Sequence, residues 1–159
     1  MFKLNAFDIE EIVDDKASAE DAVKFINENL KEVKKKDLSE KALLRISEFT
    51  QSRYVYKISK DGQTVGEITF GKNETKPVIG IGIEEEFRNR GIGYNILQEL
   101  IKRRSADEGI EYFVYTVRSD NLASIRLVEK LGGVKAKTFK LFEHNDLAIF
   151  TYHIPPINK

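Results

Sequence analysis

Between residues 77 and 107 the sequence passes from a short apolar run, Pro77-Val-Ile-Gly-Ile-Gly-Ile83, through a charged turn to Gly91-Ile-Gly93 and then into an amphipathic segment. The run is too short for a buried helix and rich in β-branched residues, so it reads as a buried strand. Its two glycines mark a bulge or the close approach of another backbone or a ligand. Ile92, Ile96, Leu97, Leu100 and Ile101 then share one face of a helix over residues 91–107. A strand that turns directly into a helix leaves the first helical amides without intrahelical acceptors, with the positive end of the dipole behind them. That is a phosphate site. Glycine at 91 and 93 admits an anion with no β-carbon in the way. Arg88 and Arg90 add charge at the same place, and a pyrophosphate suits all these features.

The rest of the chain fits one α/β (α+β) domain. Residues 2–13 are compatible with a first strand. Val23, Ile26, Leu30 and Val33 recur at helical spacing, and a second helix starts near Asp37 with Leu43, Ile46 and Phe49 as its buried stripe. Residues 54–59 and 64–70 read as strands joined by the hairpin turn Asp61-Gly62. A strand over 112–117 precedes a helix over 121–131, which buries Leu122, Ile125, Val128 and Leu131 and ends at Gly132-Gly133. Two closing strands, 135–142 and 147–154, are joined by the polar turn His144-Asn-Asp146. Helices, an antiparallel hairpin, strand–helix–strand–helix and a second hairpin together imply a layered sandwich around one sheet.

Composition removes several function classes. The 26 basic and 26 acidic residues cancel, so no global field draws the chain to nucleic acid or an anionic membrane. There is no cysteine, which excludes disulfides, thiolate metal sites and a cysteine nucleophile. His144 and His153 are too far apart in sequence to suggest a metal pair, so no metal is expected. No apolar stretch approaches the roughly 20 residues of a membrane span, and residues 1–8 lack the apolar centre of a secretion signal. The expected location is therefore cytoplasmic.

Two familiar phosphate motifs fail here. No Gly-Lys-Ser/Thr tripeptide exists, and the third small residue of a dinucleotide fingerprint falls on Ile96, or on Glu85 for a start at Gly80. A Gly-x-Gly alone is equally a structural turn. Arg88-x-x-Gly91-x-Gly93, however, resembles the Arg/Gln-x-x-Gly-x-Gly/Ala signature of the GNAT acetyltransferases. The apolar strand ending at Ile83 precedes it, and Leu97 and Leu100-Ile101 follow in the family's leucine pattern. Asn121-Leu-Ala-Ser-Ile-Arg-Leu-Val-Glu-Lys-Leu-Gly-Gly133 is similar to the family's second block. The resemblance spans residues 53–154 as a cofactor-binding core and leaves 1–52 as a variable helical, acceptor-side half of a single acetyltransferase domain.

The resemblance implies a GNAT-like mixed, mostly antiparallel sheet flanked by helices on both faces, with a cleft beside the strand at 79–84. It implies acetyl-coenzyme A (acetyl-CoA) as cosubstrate and transfer of acetyl to an amine. Asn89, Arg90, Gly91, Ile92, Gly93 and Tyr94 would hold the pyrophosphate, with Arg88 at the start of the loop. The backbone of Ile81 and Ile83 would pair with the pantetheine arm, and an amide near Ile83 or Glu84 would polarise the thioester carbonyl. Asn121 is a helix N-cap on its residue type, and the resemblance adds a contact to the pantetheine or acetyl region. Ser124 is a surface residue or the hydroxyl that meets the departing thiolate. The family's usual tyrosine, seven residues after the asparagine, is replaced by Val128. Protonation then falls to Ser124, another tyrosine or water, or the chain is a noncatalytic acyl-CoA-binding regulatory domain. The Asn-x-x-Ser block without that tyrosine looks like the branch that acetylates ribosomal-protein N-termini.

An amine acceptor is protonated at neutral pH and must lose a proton before attack. Glu84, between strand and loop, is the first candidate base, and Glu67 on the preceding strand is the second. Lys102-Arg103-Arg104 is either a solvated run or a contact for the adenosine phosphate. Tyr54, Tyr56, Tyr112 and Tyr115 read as packing on the sheet, with one of them available to line an acceptor cleft. The acceptor itself is a small molecule or a peptide or protein N-terminus, and the closing hairpin could support a homodimer.

Overall fold

The computed structural model describes residues 1–12, 52–88, 91–140 and 147–157. The helices read over 23–33 and 43–49 and the turn at 144–146 lie outside the described residues. The chain divides into two units, Met1–Asn73 with Gly80–Arg88, and Glu74–Ile79 with Asn89–Lys159.

In the first unit five strands form one sheet in chain order: β1 (Phe2–Leu4), β2 (Phe7–Ile12), β3 (Arg53–Lys60), β4 (Gln63–Gly71) and β5 (Ile79–Ile83). The first four pair antiparallel, so the opening segment contributes two strands and not one. Asp61 and Gly62 both have positive φ, 50° and 78°. This is the type I′ turn whose twist matches a tight hairpin, and it fixes the register of β3 on β4. A register shift between Ile58 and Ser59 leaves Val65 as an extra residue on β4. Ile9, Val55, Ile58, Val65, Ile68 and Phe70 are fully buried. Tyr56 meets Phe70 edge-on at 6.0 Å, a geometry aromatic rings favour.

Strand β5 completes this sheet through two close approaches. A β-carbon on Gly66 would collide with the Gly82 carbonyl, and one on Gly80 would meet Thr69 Oγ1 at 2.5 Å. Gly80 is therefore explained by Thr69 on the neighbouring β4, and Gly66, whose role the sequence did not disclose, by the Gly82 carbonyl on β5.

The second unit holds α1 (Ile92–Ser105), β6 (Phe113–Arg118), α2 (Leu122–Lys130), β7 (Val134–Lys140) and β8 (Ala148–Ile154). Its sheet has the order β6-β8-β7, antiparallel throughout. Among the described residues the strands thus make two sheets, not the single one read from the sequence. Among the described residues, β6 meets the preceding segment through a parallel bridge, Val78 to Val114, and the bond from the Val114 amide to the Pro77 carbonyl, 2.9 Å. The apolar face of α1 (Ile92, Ile96, Leu97, Leu100 and Ile101) is buried as its spacing requires. Ser105 Oγ donates to the Ile101 carbonyl and accepts the Ile157 amide at 3.0 Å, which ties the end of the chain to the helix.

Helix α2 ends as its Gly-Gly pair predicts. The Gly133 amide donates to the Val128 carbonyl and the Gly132 amide to the Glu129 carbonyl, with Gly132 at φ 86°. That pair of bonds is a Schellman motif. Of the four residues read as its buried stripe only Val128 is fully buried: Ile125 and Leu131 are half-buried and Leu122 is 61% exposed. Leu122 lies about 120° around the helix from Val128 at 3.6 residues per turn, so a step repeated every three residues has drifted off the face. Among the described residues no helix is long and apolar enough to cross a membrane.

Candidate functional site

The start of α1 is built as the sequence requires. Gly91 is its N-cap in the left-handed conformation, φ 74°, and no described side chain caps it. Among the described residues nothing lies within 4 Å of the place where a β-carbon at Gly91 would sit. The amides of Ile92, Gly93 and Tyr94 belong to the first turn and have no intrahelical acceptor. An open, positively polarised helix end behind a glycine fits an anion. Asn89 and Arg90 lie outside the described residues.

Arg88 has a structural task as well. Its Nε donates to the Ile83 carbonyl at 2.8 Å, closing the 3-10 turn Glu85–Phe87 back onto the end of β5. Lys102, Arg103 and Arg104 occupy the last turn of α1. They stand roughly 17–20 Å along the axis from Gly91 at 1.5 Å per residue. Arg103 pairs with Glu99 and Arg104 with Asp107, and three cations at this end complement the negative pole of the dipole.

In the first unit, the structure separates the two amides proposed to polarise the thioester. The Glu84 amide donates to the Val65 carbonyl at 2.8 Å and is committed to the sheet. Successive residues of a strand point their backbone groups to opposite edges. Ile81 and Ile83 therefore present theirs on the edge of β5 away from β4, in agreement with Arg88 reaching the Ile83 carbonyl there. Of the two, Ile83 is the amide on the outer edge. Glu67 sits on β4, one residue from Gly66, which faces Gly82. Burial pushes its carboxyl up from 4.5 to about 7, within reach of proton exchange at neutral pH.

In the second unit, Asn121 Oδ1 accepts the Ser124 amide at 3.1 Å, the N-cap bond of α2. Ser124 Oγ is 2.7 Å from the Tyr115 hydroxyl. The same serine is thus held through its amide by Asn121 and through its hydroxyl by Tyr115. Tyr115 is buried, and that burial pushes its phenol above the ordinary range, against the opposing effect of the Ser124 bond. Sequence reasoning assigned Tyr115 to packing, and nothing in its local pattern marks a partner nine residues away on a helix. Val128 is buried against Gly133: a β-carbon there would meet Val128 Cγ2 at 2.7 Å. Tyr94 receives a bond from Gln98 Nε2 at 3.1 Å, and Lys130 Nζ lies 4.1 Å from its ring centre. The Lys130 contact joins the last turn of α2 to the first turn of α1 and has no signature in the sequence.

The family model described as acetyltransferase (GNAT) domain matches residues 3–134. Among solved structures, the ribosomal-protein-S5-alanine acetyltransferase of Vibrio fischeri is similar with a TM-score of 0.76 at 12% identity, covering 99% of this chain and 97% of that one. The ribosomal-protein-S18-alanine N-acetyltransferase of Escherichia coli gives 0.69 at 16% identity, with 96% of each chain covered. Spermidine N-acetyltransferase from Vibrio cholerae, in complex with CoA and spermine, gives 0.71 at 10% identity, covering 96% of this chain and 97% of that one. At these identities the likeness is one of fold, and it includes the ribosomal-protein branch that the Asn-x-x-Ser block resembles. No curated protein matches the sequence at a significant level.

Proposed function

Because the chain belongs to the GNAT acetyltransferase family, we propose that it transfers acetyl from acetyl-CoA directly to a primary amine. The observation that carries this reading is the start of α1, where Gly91 at φ 74° has no described atom within 4 Å of its missing β-carbon and no described side chain caps the first-turn amides. Those amides, with Asn89, Arg90 and Arg88, would hold the pyrophosphate. The outer edge of β5 at Ile81 and Ile83 would hold the pantetheine arm, and the Ile83 amide would stabilise charge developing on the carbonyl oxygen. When bound, acetyl-CoA supplies an activated acyl carbon.

Glu67 takes the role of general base. A carboxylate brought to about 7 by burial accepts a proton from an ammonium ion far better than one at its ordinary value. Glu84 is the comparison case, a carboxylate at the end of β5. Ser124 meets the leaving sulfur. With no cysteine in the chain, direct transfer is favoured over an acyl-enzyme. The acceptor class spans small amines and peptide or protein N-termini, in line with the similarity to ribosomal-protein alanine and spermidine acetyltransferases.

The test is release of free thiol from acetyl-CoA with a panel of amines: polyamines, lysine, and peptides with free α-amino groups. Amine-dependent thiol release supports the enzyme. Tight binding of acetyl-CoA without release for any amine would leave a regulatory acyl-CoA-binding domain.

A further inference from the structure

The hydroxyls of Tyr115 and Ser124 lie 2.7 Å apart, and only one of them can donate in that bond. A phenol is a far stronger acid than an aliphatic alcohol, so the phenol is the better donor and the alcohol the better acceptor. Ser124 stands in the first turn of α2, three residues after its N-cap Asn121, so the carbonyl four residues back lies outside the helix and the usual mid-helix partner of a serine hydroxyl is missing. Here Tyr115 offers it a donor instead. The serine proton is then left to point away from the tyrosine, while Asn121 fixes the serine backbone through its amide.

We propose that Tyr115 is a positioning residue, whose hydroxyl donates to Ser124 Oγ and so turns the serine's own O–H toward the coenzyme A sulfur. This assignment rests on the acetyltransferase reading above and gives the sulfur a hydrogen-bond donor where the family's usual tyrosine is absent. As the carbon–nitrogen bond forms and the carbon–sulfur bond breaks, Ser124 donates a hydrogen bond to the electron pair left on sulfur. The proton lost by the amine goes to the base, and solvent later returns one proton to the thiolate. Neither hydroxyl has to ionise. Two donors in series polarise one another, and each strengthens the next. Burial keeps Tyr115 protonated well into the alkaline range, so the arrangement persists wherever the amine can react.

The absence of cysteine makes the test clean, because the thiol of bound CoA is the only one in the sample. CoA carrying an isotope label on the carbon beside sulfur is titrated by NMR while bound to wild type, Ser124→Ala and Tyr115→Phe. In wild type the bound thiol should be about tenfold more acidic than free CoA, equivalent to about one pKa unit. Ser124→Ala should abolish that shift and Tyr115→Phe most of it, with CoA affinity below the thiol pKa changed less than about twofold, since uncharged thiol gains little from the bond. Should Tyr115→Phe fail to fold, fluorotyrosine at position 115, a stronger donor, should acidify the bound thiol further. An equal thiol pKa in wild type and variants, alongside normal turnover, overturns the positioning role and leaves the enzyme intact. Failure of folded wild type to bind CoA overturns both together.

Discussion

Gly66 on β4 faces the carbonyl of Gly82 on β5 so closely that a β-carbon at position 66 has no room. The obstacle is backbone, which cannot move aside as a flexible side chain would. Gly66→Ala should therefore destabilise the protein by about 1–3 kcal/mol, lowering the melting midpoint by roughly 3–10 °C. Calorimetric melting checks this, and an unchanged midpoint would show that the two strands can separate without cost. The same variant should weaken acetyl-CoA binding, because the edge of β5 carries Ile81 and Ile83.

Glu67 predicts a pH dependence with a definite sign. Its folded pKa of about 7 lies above the ordinary 4.5, so the folded chain holds this proton more tightly than the unfolded chain. Its contribution to stability is complete below 4.5 and is lost as the pH rises through about 7. Glu67→Gln should be more stable than wild type above pH 7, by at most about 3 kcal/mol, and the advantage should fade in acid. Denaturant titrations across pH measure it. Activity runs the other way: the base works as carboxylate, so turnover should rise through about pH 7 and fall roughly a hundredfold in the glutamine variant.

Asn121 caps α2 through its side chain. Asn121→Ala should cost about 1 kcal/mol, readable by chemical denaturation, whereas Asn121→Asp should retain the cap. A cap that serves only the helix would leave turnover unchanged once stability is corrected. A further loss of turnover in the alanine variant is expected, because Ser124 loses its backbone anchor.

Restoring the family's tyrosine at position 128 should not restore a proton donor. Val128 is fully buried and lies against Gly133, so Val128→Tyr overpacks the core and should cost about 1–3 kcal/mol or more. The expected outcome is a lower melting midpoint with no gain in turnover. A faster, equally stable variant would contradict the assignment of the sulfur side to Ser124 and Tyr115.

What the sequence disclosed was governed by neighbours along the chain. The Asp61-Gly62 turn, the Asn121 cap, the Gly132-Gly133 stop and the apolar face of α1 are set within a few residues, and each is found where its pattern places it. Pairings across the fold were hidden. Gly66 meets Gly82 only after β4 and β5 are adjacent, and Tyr115 finds Ser124 only after α2 packs beside β6. The Glu84 amide looked like a thioester contact until its bond to Val65 appeared. Leu122 misled because a three-residue repeat drifts around a helix of 3.6 residues per turn.

The central claim is that the start of α1 holds the pyrophosphate of acetyl-CoA, and calorimetric titration of wild type and Gly91→Glu tests it most directly. The glutamate puts a β-carbon at a left-handed position, φ 74°, and a carboxylate where the anion should bind. The account predicts saturable acetyl-CoA binding to wild type that the folded variant loses. Equal binding by both proteins, or none by folded wild type, would contradict it.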